Sequence, residues 1–229
     1  MLVKKYACIT GGSRGLGLEM AIALAKAGLP GMTITAAPGS DETTIEIENE
    51  LELAKSSIVQ AGARVNAVLA DVGKMQDCEA SIRTHLASFP SLDILINNAG
   101  KAGRYANKGY TENDISNHDP KGIAEIIETN LTGPFFMLHV ALPHIRKAKT
   151  GRVINISKRT ESMHRKAWTP YGPTKAALEA ATIAWAESLS DTQITVNSLS
   201  PGGAVNTRFG SGIISGYGID PKIIHPMIV

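Results

Sequence analysis

Hydrophobic and polar positions along this chain fall into two kinds of block. Short apolar runs closed by glycine, asparagine or aspartate have strand length, while stretches with apolar residues three and four apart have helix length. Leu2–Thr10 reads as a buried strand. After Gly11-Gly12-Ser13-Arg14-Gly15-Leu16-Gly17 an apolar helix runs to about Ala27 and closes at Gly28. Gly31–Ala37 predicts a second strand. Asp41–Ala61 predicts a helix whose apolar side carries Ile45, Leu51, Ile58 and Val59 and whose acidic run, Glu46 to Glu52, is a solvated face. Arg64–Ala70 is a third strand ending at Asp71-Val72, Lys74–Ser88 a helix, and Leu92–Ile96 a fourth strand ending in Asn97-Asn98-Ala99-Gly100. Residues 101–119 are polar and form a long loop. Gly122–Lys147 is helical with a break near Gly133-Pro134, Arg152–Ile156 is strand five, and Ile194–Leu199 is strand six. This alternation predicts an α/β fold: a doubly wound parallel sheet in three layers, formed as one domain over residues 1–229.

Composition narrows the function. The chain has 229 residues, 43% of them hydrophobic and 19% charged, enough for a sizeable core. A net charge of +2 gives no reason to expect nucleic acid. Cys8 and Cys78 form no CxxC and fit buried thiols in a reducing compartment. No apolar signal core precedes the first strand and no apolar run reaches membrane-spanning length, so the expected location is the cytoplasm. The six histidines include no HExxH, and no metal is expected.

Two stretches carry candidate chemistry. The first is the glycine-rich turn between strand one and its helix, which suits a phosphate. Glycines let the backbone approach closely, and the helix N-terminus offers free amides and partial positive charge. Its spacing, Gly11…Gly15-x-Gly17, differs from the common GxGxxG. The second is Pro170-Tyr171-Gly172-Pro173-Thr174-Lys175, read as a helix start because prolines are tolerated there. Tyr171 and Lys175 are four apart and share one helical face. A free tyrosine has a pKa of about 10, and an ammonium beside it favours the phenolate. Alone, the pair is a weak signal.

Taken together, TGGSRGLG (10–17), Asp71-Val72, NNAG (97–100), Asn130, YGPTK (171–175) and the Pro201-Gly202 turn stand in the order and spacing of the short-chain dehydrogenase/reductases, which the chain resembles over essentially its whole length. The resemblance implies a Rossmann-like fold and a dinucleotide cofactor. Gly11, Ser13, Arg14, Gly15, Leu16 and Gly17 would cradle its ribose and phosphates. Asp71 and Val72 would meet the adenine, Asn98 would sit beside the adenosine ribose, and Gly202 and Thr207 would meet the nicotinamide carboxamide. Where an NAD-preferring member carries an acidic residue at the end of strand two, this chain has Ala36-Ala37-Pro38-Gly39-Ser40. Arg14 and Ser40 can bind a 2′-phosphate, so NADP(H) is favoured over NAD(H), with Asp41 and Glu42 close by.

By the same resemblance, Tyr171 is the general acid/base that exchanges a proton with the carbonyl or alcohol oxygen, Lys175 lowers its pKa and holds the nicotinamide ribose, and Asn130 holds a water linking Lys175 to solvent. A serine that orients the substrate carbonyl usually stands 13 residues before the tyrosine, and that position here is Lys158. Ser157, shifted by one, is the expected replacement, with Thr160 as the second choice. The loop from Lys158 to Trp168 carries Lys158, Arg159, His164, Arg165 and Lys166 and reads first as a solvated loop, with an anionic substrate as the alternative, while Met163 and Trp168 would pack either a hydrophobic substrate or the loop itself.

Phe209–Gly218 resembles a substrate lid. Only Asp220–Val229 follows, where family members continue through another helix and a seventh strand that supply subunit contacts. The resemblance implies a homo-dimer or homo-tetramer acting on a small-molecule carbonyl or alcohol. The competing expectation, carried by the displaced serine and the short C-terminus, is a catalytically impaired dinucleotide-binding protein that serves as sensor or scaffold. An extended-type epimerase or dehydratase is disfavoured by length and glycine spacing.

Overall fold

In the computed structural model, residues 2–102, 115–165, 169–203, 205, 207 and 218–229 are described, 41 and 42 by backbone alone. Six strands form one all-parallel sheet: β1 (Tyr6–Ile9), β2 (Gly31–Ala36), β3 (Arg64–Leu69), β4 (Ile94–Asn97), β5 (Arg152–Ile156) and β6 (Thr195–Leu199). Their order across the sheet is β3-β2-β1-β4-β5-β6, so the winding reverses between β1 and β4. That gives the Rossmann-like doubly wound sheet predicted from the alternation.

The period of two along the strands divides the core. Ala7, Ile9, Ile94 and Ile96 face one layer, which holds α1 (Gly15–Lys26) and α2 (Asp41–Gln60). Cys8, Leu95 and Val153 face the other, with α3 (Met75–Ser88) and the long helical segment after residue 119. That segment comprises α4 (Pro120–Ile127), a wide π turn at Glu128–Thr132 and α5 (Gly133–Ile145). A four-residue helix α6 (Thr160–Met163) leads to α7 (Tyr171–Ser188). The C-terminal residues form a 3-10 turn at Pro221–Ile224 and a final short helix α8 (His225–Ile228), where Ile224 and Ile228 join the core on the α1 side and His225 Nε2 lies 2.8 Å from Glu19 Oε2.

Several local expectations shift. The first strand begins four residues late because Leu2–Lys5 closes a turn, Lys5 N–H donating to Leu2 O. In α2, Leu51 and Ile58 are buried, but Ile45 and Val59 are 64% and 55% exposed. At 100° per residue the inward stripe runs through Leu51, Ala54 and Ile58 and leaves those two beside it. The helical break lies at Glu128–Thr132, just ahead of the expected Gly133-Pro134. Pro134 has no N–H to return to residue 130, so the ladder widens there. Gly133 is needed at the contact, since a Cβ on it would stand 2.6 Å from Val72 Cγ2.

Burial pushes the Cys8 and Cys78 thiols up to about 12, which makes both poor nucleophiles. His85 is fully buried, with Nδ1 3.0 Å from Thr33 Oγ1 and Nε2 2.9 Å from Ser91 O. A carbonyl can only accept, so Nε2 carries the proton and Nδ1 accepts from Thr33. Burial lowers the His85 pKa below 6.5. The unfolded chain therefore binds the extra proton first as pH falls, and the stability drawn from neutral His85 is present above about 6.5 and lost below it. Melting of the wild type is expected to weaken from about pH 7 toward about pH 5, by at most about 1.4 kcal/mol per pH unit, with a shallower slope in His85→Gln; equal slopes would remove His85 as the cause.

Candidate active site

The carboxyl ends of β1 and β4 meet where the winding reverses, the usual place for a crevice in an open α/β sheet. Thr10 ties the two ends together. Its Oγ1 accepts from the N–H groups of Asn98 and Ala99, each at 3.0 Å. Asn98 in turn donates from Nδ2 to the carbonyls of Thr10 and Gly11, both at 2.9 Å. The glycine turn is shaped around that side chain. Gly11 is left-handed at φ 64°, and a Cβ at Gly17 would strike Gly11 O and the Asn98 amide. Gly15, at φ 56°, begins α1, and a Cβ there would come within 3.2 Å of Thr207 Cγ2. The turn after β1 and the segment after β6 therefore adjoin.

The remaining cofactor candidates lie around this turn. Ser13 is buried, and Leu16 packs partly into the core. Arg14 precedes α1 and pairs through Nη1 with Glu50 of α2, at 3.1 and 3.2 Å from its two carboxylate oxygens. The sequence places Glu50 only on a solvated face; its reach to Arg14 depends on how α2 docks, which no local pattern reveals. Asp71 accepts from Gly73 N–H at 3.0 Å, and Val72 is buried. Gly202 is left-handed at φ 84°, and its carbonyl accepts from Arg159 Nη1 at 3.3 Å.

On the β5 side, α7 brings Tyr171 and Lys175 together as their spacing predicts. Both are buried, at 7% and 3% exposure, and Lys175 Nζ lies 5.9 Å from the Tyr171 ring centre. The ammonium donates to Ile156 O at 2.8 Å, where β5 ends. Burial lowers the Lys175 pKa to about 8. Asn130, fully buried in the π turn, accepts from Lys101 N–H at 2.7 Å and donates to Lys101 O and Thr174 Oγ1 at 2.9 and 3.2 Å. Thr174 Oγ1 donates to Tyr171 O. Asn130 thus joins the loop after β4 to the first turn of α7.

Ser157 and Lys158 diverge at the end of β5. Ser157 Oγ donates to Glu179 Oε1 on α7 at 2.8 Å, while Lys158 Nζ lies over the Tyr171 ring, 5.9 Å from its centre. Thr160 is exposed at the start of α6. A Cβ on Gly172 would meet Met163 O, so that glycine lets α6 close onto α7. Lys166, Trp168 and residues 209–217 of the expected lid lie outside the described residues. Among the described residues no three metal-ligating side chains cluster, and no helix is long and apolar enough to cross a membrane. Sequence reasoning missed the partners Thr10, Lys101, Glu50 and Glu179; only Lys158, by its count from Tyr171, left a signal.

A sequence profile of the short chain dehydrogenase family matches residues 5–215. An uncharacterized oxidoreductase of Bacillus subtilis, YhdF, is 32% identical, the match covering 97% of this chain and 72% of that protein. The 3-oxoacyl-[acyl-carrier-protein] reductase FabG of Staphylococcus aureus is 30% identical over 88% of this chain and 75% of its own length. Among solved structures, a dehydrogenase/reductase from Sinorhizobium meliloti superposes with a TM-score of 0.81 at 28% identity, covering 99% of this chain and 87% of that one. An actinorhodin polyketide ketoreductase solved with NADPH gives 0.82 at 24% identity, covering 100% and 90%, a likeness of fold. With the family profile spanning the sheet, the glycine turn and the Tyr171 helix, this chain belongs to the short-chain dehydrogenase/reductase family of oxidoreductases.

Proposed function

We propose that the protein is an NADP(H)-dependent reductase or dehydrogenase of carbonyl and alcohol substrates, with Tyr171 as general acid/base. The observation that carries this is the buried pair of Tyr171 and Lys175 at the start of α7, set on the carboxyl end of β5 near the crevice. The name of the related 3-oxoacyl reductase agrees with carbonyl chemistry.

The residues fit a dinucleotide. Gly11 and Gly17 let the turn close tightly around Asn98, Gly15 makes the left-handed turn into α1, and the α1 N-terminus beside Ser13 and Leu16 suits a phosphate. Asp71, Val72 and Asn98 would border the adenosine, and Gly202 and Thr207 the nicotinamide. Arg14, half exposed, would turn from Glu50 to hold a 2′-phosphate. When bound, the nicotinamide supplies or accepts the hydride. Tyr171 gives its proton to the carbonyl oxygen, or takes one from the alcohol. Lys175 favours the phenolate that results, and Asn130 keeps the loop after β4 and the first turn of α7 in place.

A second reading, a dinucleotide-binding sensor or scaffold, is favoured by one observation: the Ser157 hydroxyl is taken up by Glu179. NADPH consumption with a panel of ketones, aldehydes and quinones separates the two. Turnover lost by about 10²-fold or more in Tyr171→Phe is expected; NADPH binding with no turnover in either protein would leave the sensor.

Two further outcomes follow from the local charges. Arg14→Ala is expected to weaken NADPH binding by about tenfold and NADH binding little, and Glu50→Gln to tighten NADPH, as read by titration calorimetry. Lys175→Met should abolish turnover yet melt no lower than wild type at neutral pH, because a buried ammonium with its pKa lowered to about 8 carries a cost while charged. Between the folded value of about 8 and the ordinary 10.5, the unfolded chain binds more protons, so wild-type stability should climb toward that of the variant as pH rises through this window.

A further inference from the structure

β5 ends by sending two adjacent side chains in different directions. Ser157 is buried and its hydroxyl donates to Glu179 at 2.8 Å. Lys158, half-buried, reaches over the ring of Tyr171 instead, with Nζ 5.9 Å from its centre. Lys175 Nζ stands at the same 5.9 Å from that ring. One phenol is thus served by two ammonium groups, one from the strand end and one from its own helix. Nearby, Gly172 admits Met163 O, and that contact brings α6 onto the start of α7.

On the reading of the site given above, we propose that Lys158 fills the role expected of a strand-end hydroxyl, its ammonium donating to the carbonyl oxygen that Tyr171 protonates and favouring the Tyr171 phenolate. Tyr171 would pass its proton to the oxygen, the hydride for the carbon being what a bound nicotinamide would supply. The products would be the alcohol and a phenolate beside two ammonium groups, with Lys158 keeping its own proton. A charged donor aimed at an oxygen that gains negative charge stabilises it more than a neutral hydroxyl does. The charged groups around Lys158 are consistent with this work. Burial, and then Arg165, lower its pKa to about 8, so the ammonium form still prevails at neutral pH. Arg159 pairs with Glu161 at 3.5 Å, and Glu179 is occupied by Ser157.

Two measurements on the full chain test this, with Lys158→Met and Lys158→Arg beside wild type. The first needs no substrate: ultraviolet titration of tyrosinate, taken as the difference from Tyr171→Phe, reads the ionisation of Tyr171 alone. Its midpoint is expected to rise by about one pH unit in Lys158→Met and to return in Lys158→Arg. The second is turnover with NADPH and the best carbonyl of the panel. In Lys158→Met kcat should fall by about 10²-fold with NADPH affinity unchanged, and Lys158→Arg should recover most of it. A midpoint that stays put in a folded Lys158→Met overturns the proposal, and so does wild-type kcat in that variant. If wild type turns over nothing while the midpoint still moves, the reductase reading and the carbonyl contact fail, and the coupling of Lys158 to Tyr171 stands.

Discussion

A buried ammonium fastened to a single backbone carbonyl holds this site together. Lys175 Nζ donates to Ile156 O at the point where β5 runs out of sheet partners. That bond fixes the first turn of α7 against the strand end and sets the height of Tyr171 over the crevice. An ammonium at 3% exposure is costly, since nothing there replaces its full hydration. The fold tolerates it because the rest of the parallel sheet is covered on both faces by apolar helices. Stability is given up at one position to keep a cation beside a phenol.

The strand ends around it are organised by amides and hydroxyls. Thr10 and Asn98 lock the ends of β1 and β4; Asn130 locks the loop after β4 to α7. Deeper in, Asn97 donates to Asn155, which donates to Thr182 of α7, each at 2.8 Å. Buried amides of this kind must find partners, so they fix positions more strictly than apolar contacts do. One short helix, α6, closes against the start of α7 through Met163 O beside Gly172.

Ser157 and Lys158, the two residues that follow β5, turn to different partners. A step of one residue exchanges a group turned to Glu179 for one turned to Tyr171. The hydroxyl of Ser157 ties the end of β5 to α7, and the ammonium of Lys158 places a second cation near the Tyr171 ring. Arg14 and Glu50 play a similar part at the other end of the crevice, where a carboxylate holds the side chain that a phosphate would claim.

Much of this was legible before any coordinates. Runs of apolar residues predict the six strands and a parallel sheet, because short apolar strands alternating with helices of a dozen residues leave a clear pattern, while the order β3-β2-β1-β4-β5-β6 came from the tertiary structure. The spacing of Tyr171 and Lys175 gave their shared face, because helical geometry is local. The contacts that decide chemistry were not legible. Glu50 reaching Arg14, Ser157 turning to Glu179 and Lys158 lying over Tyr171 join residues brought together by how helices dock on the sheet. The chain by itself determined which elements form and which residues share a face, since those follow from periodicity. Only the tertiary structure decided which polar atoms meet, since that depends on packing between elements distant in sequence.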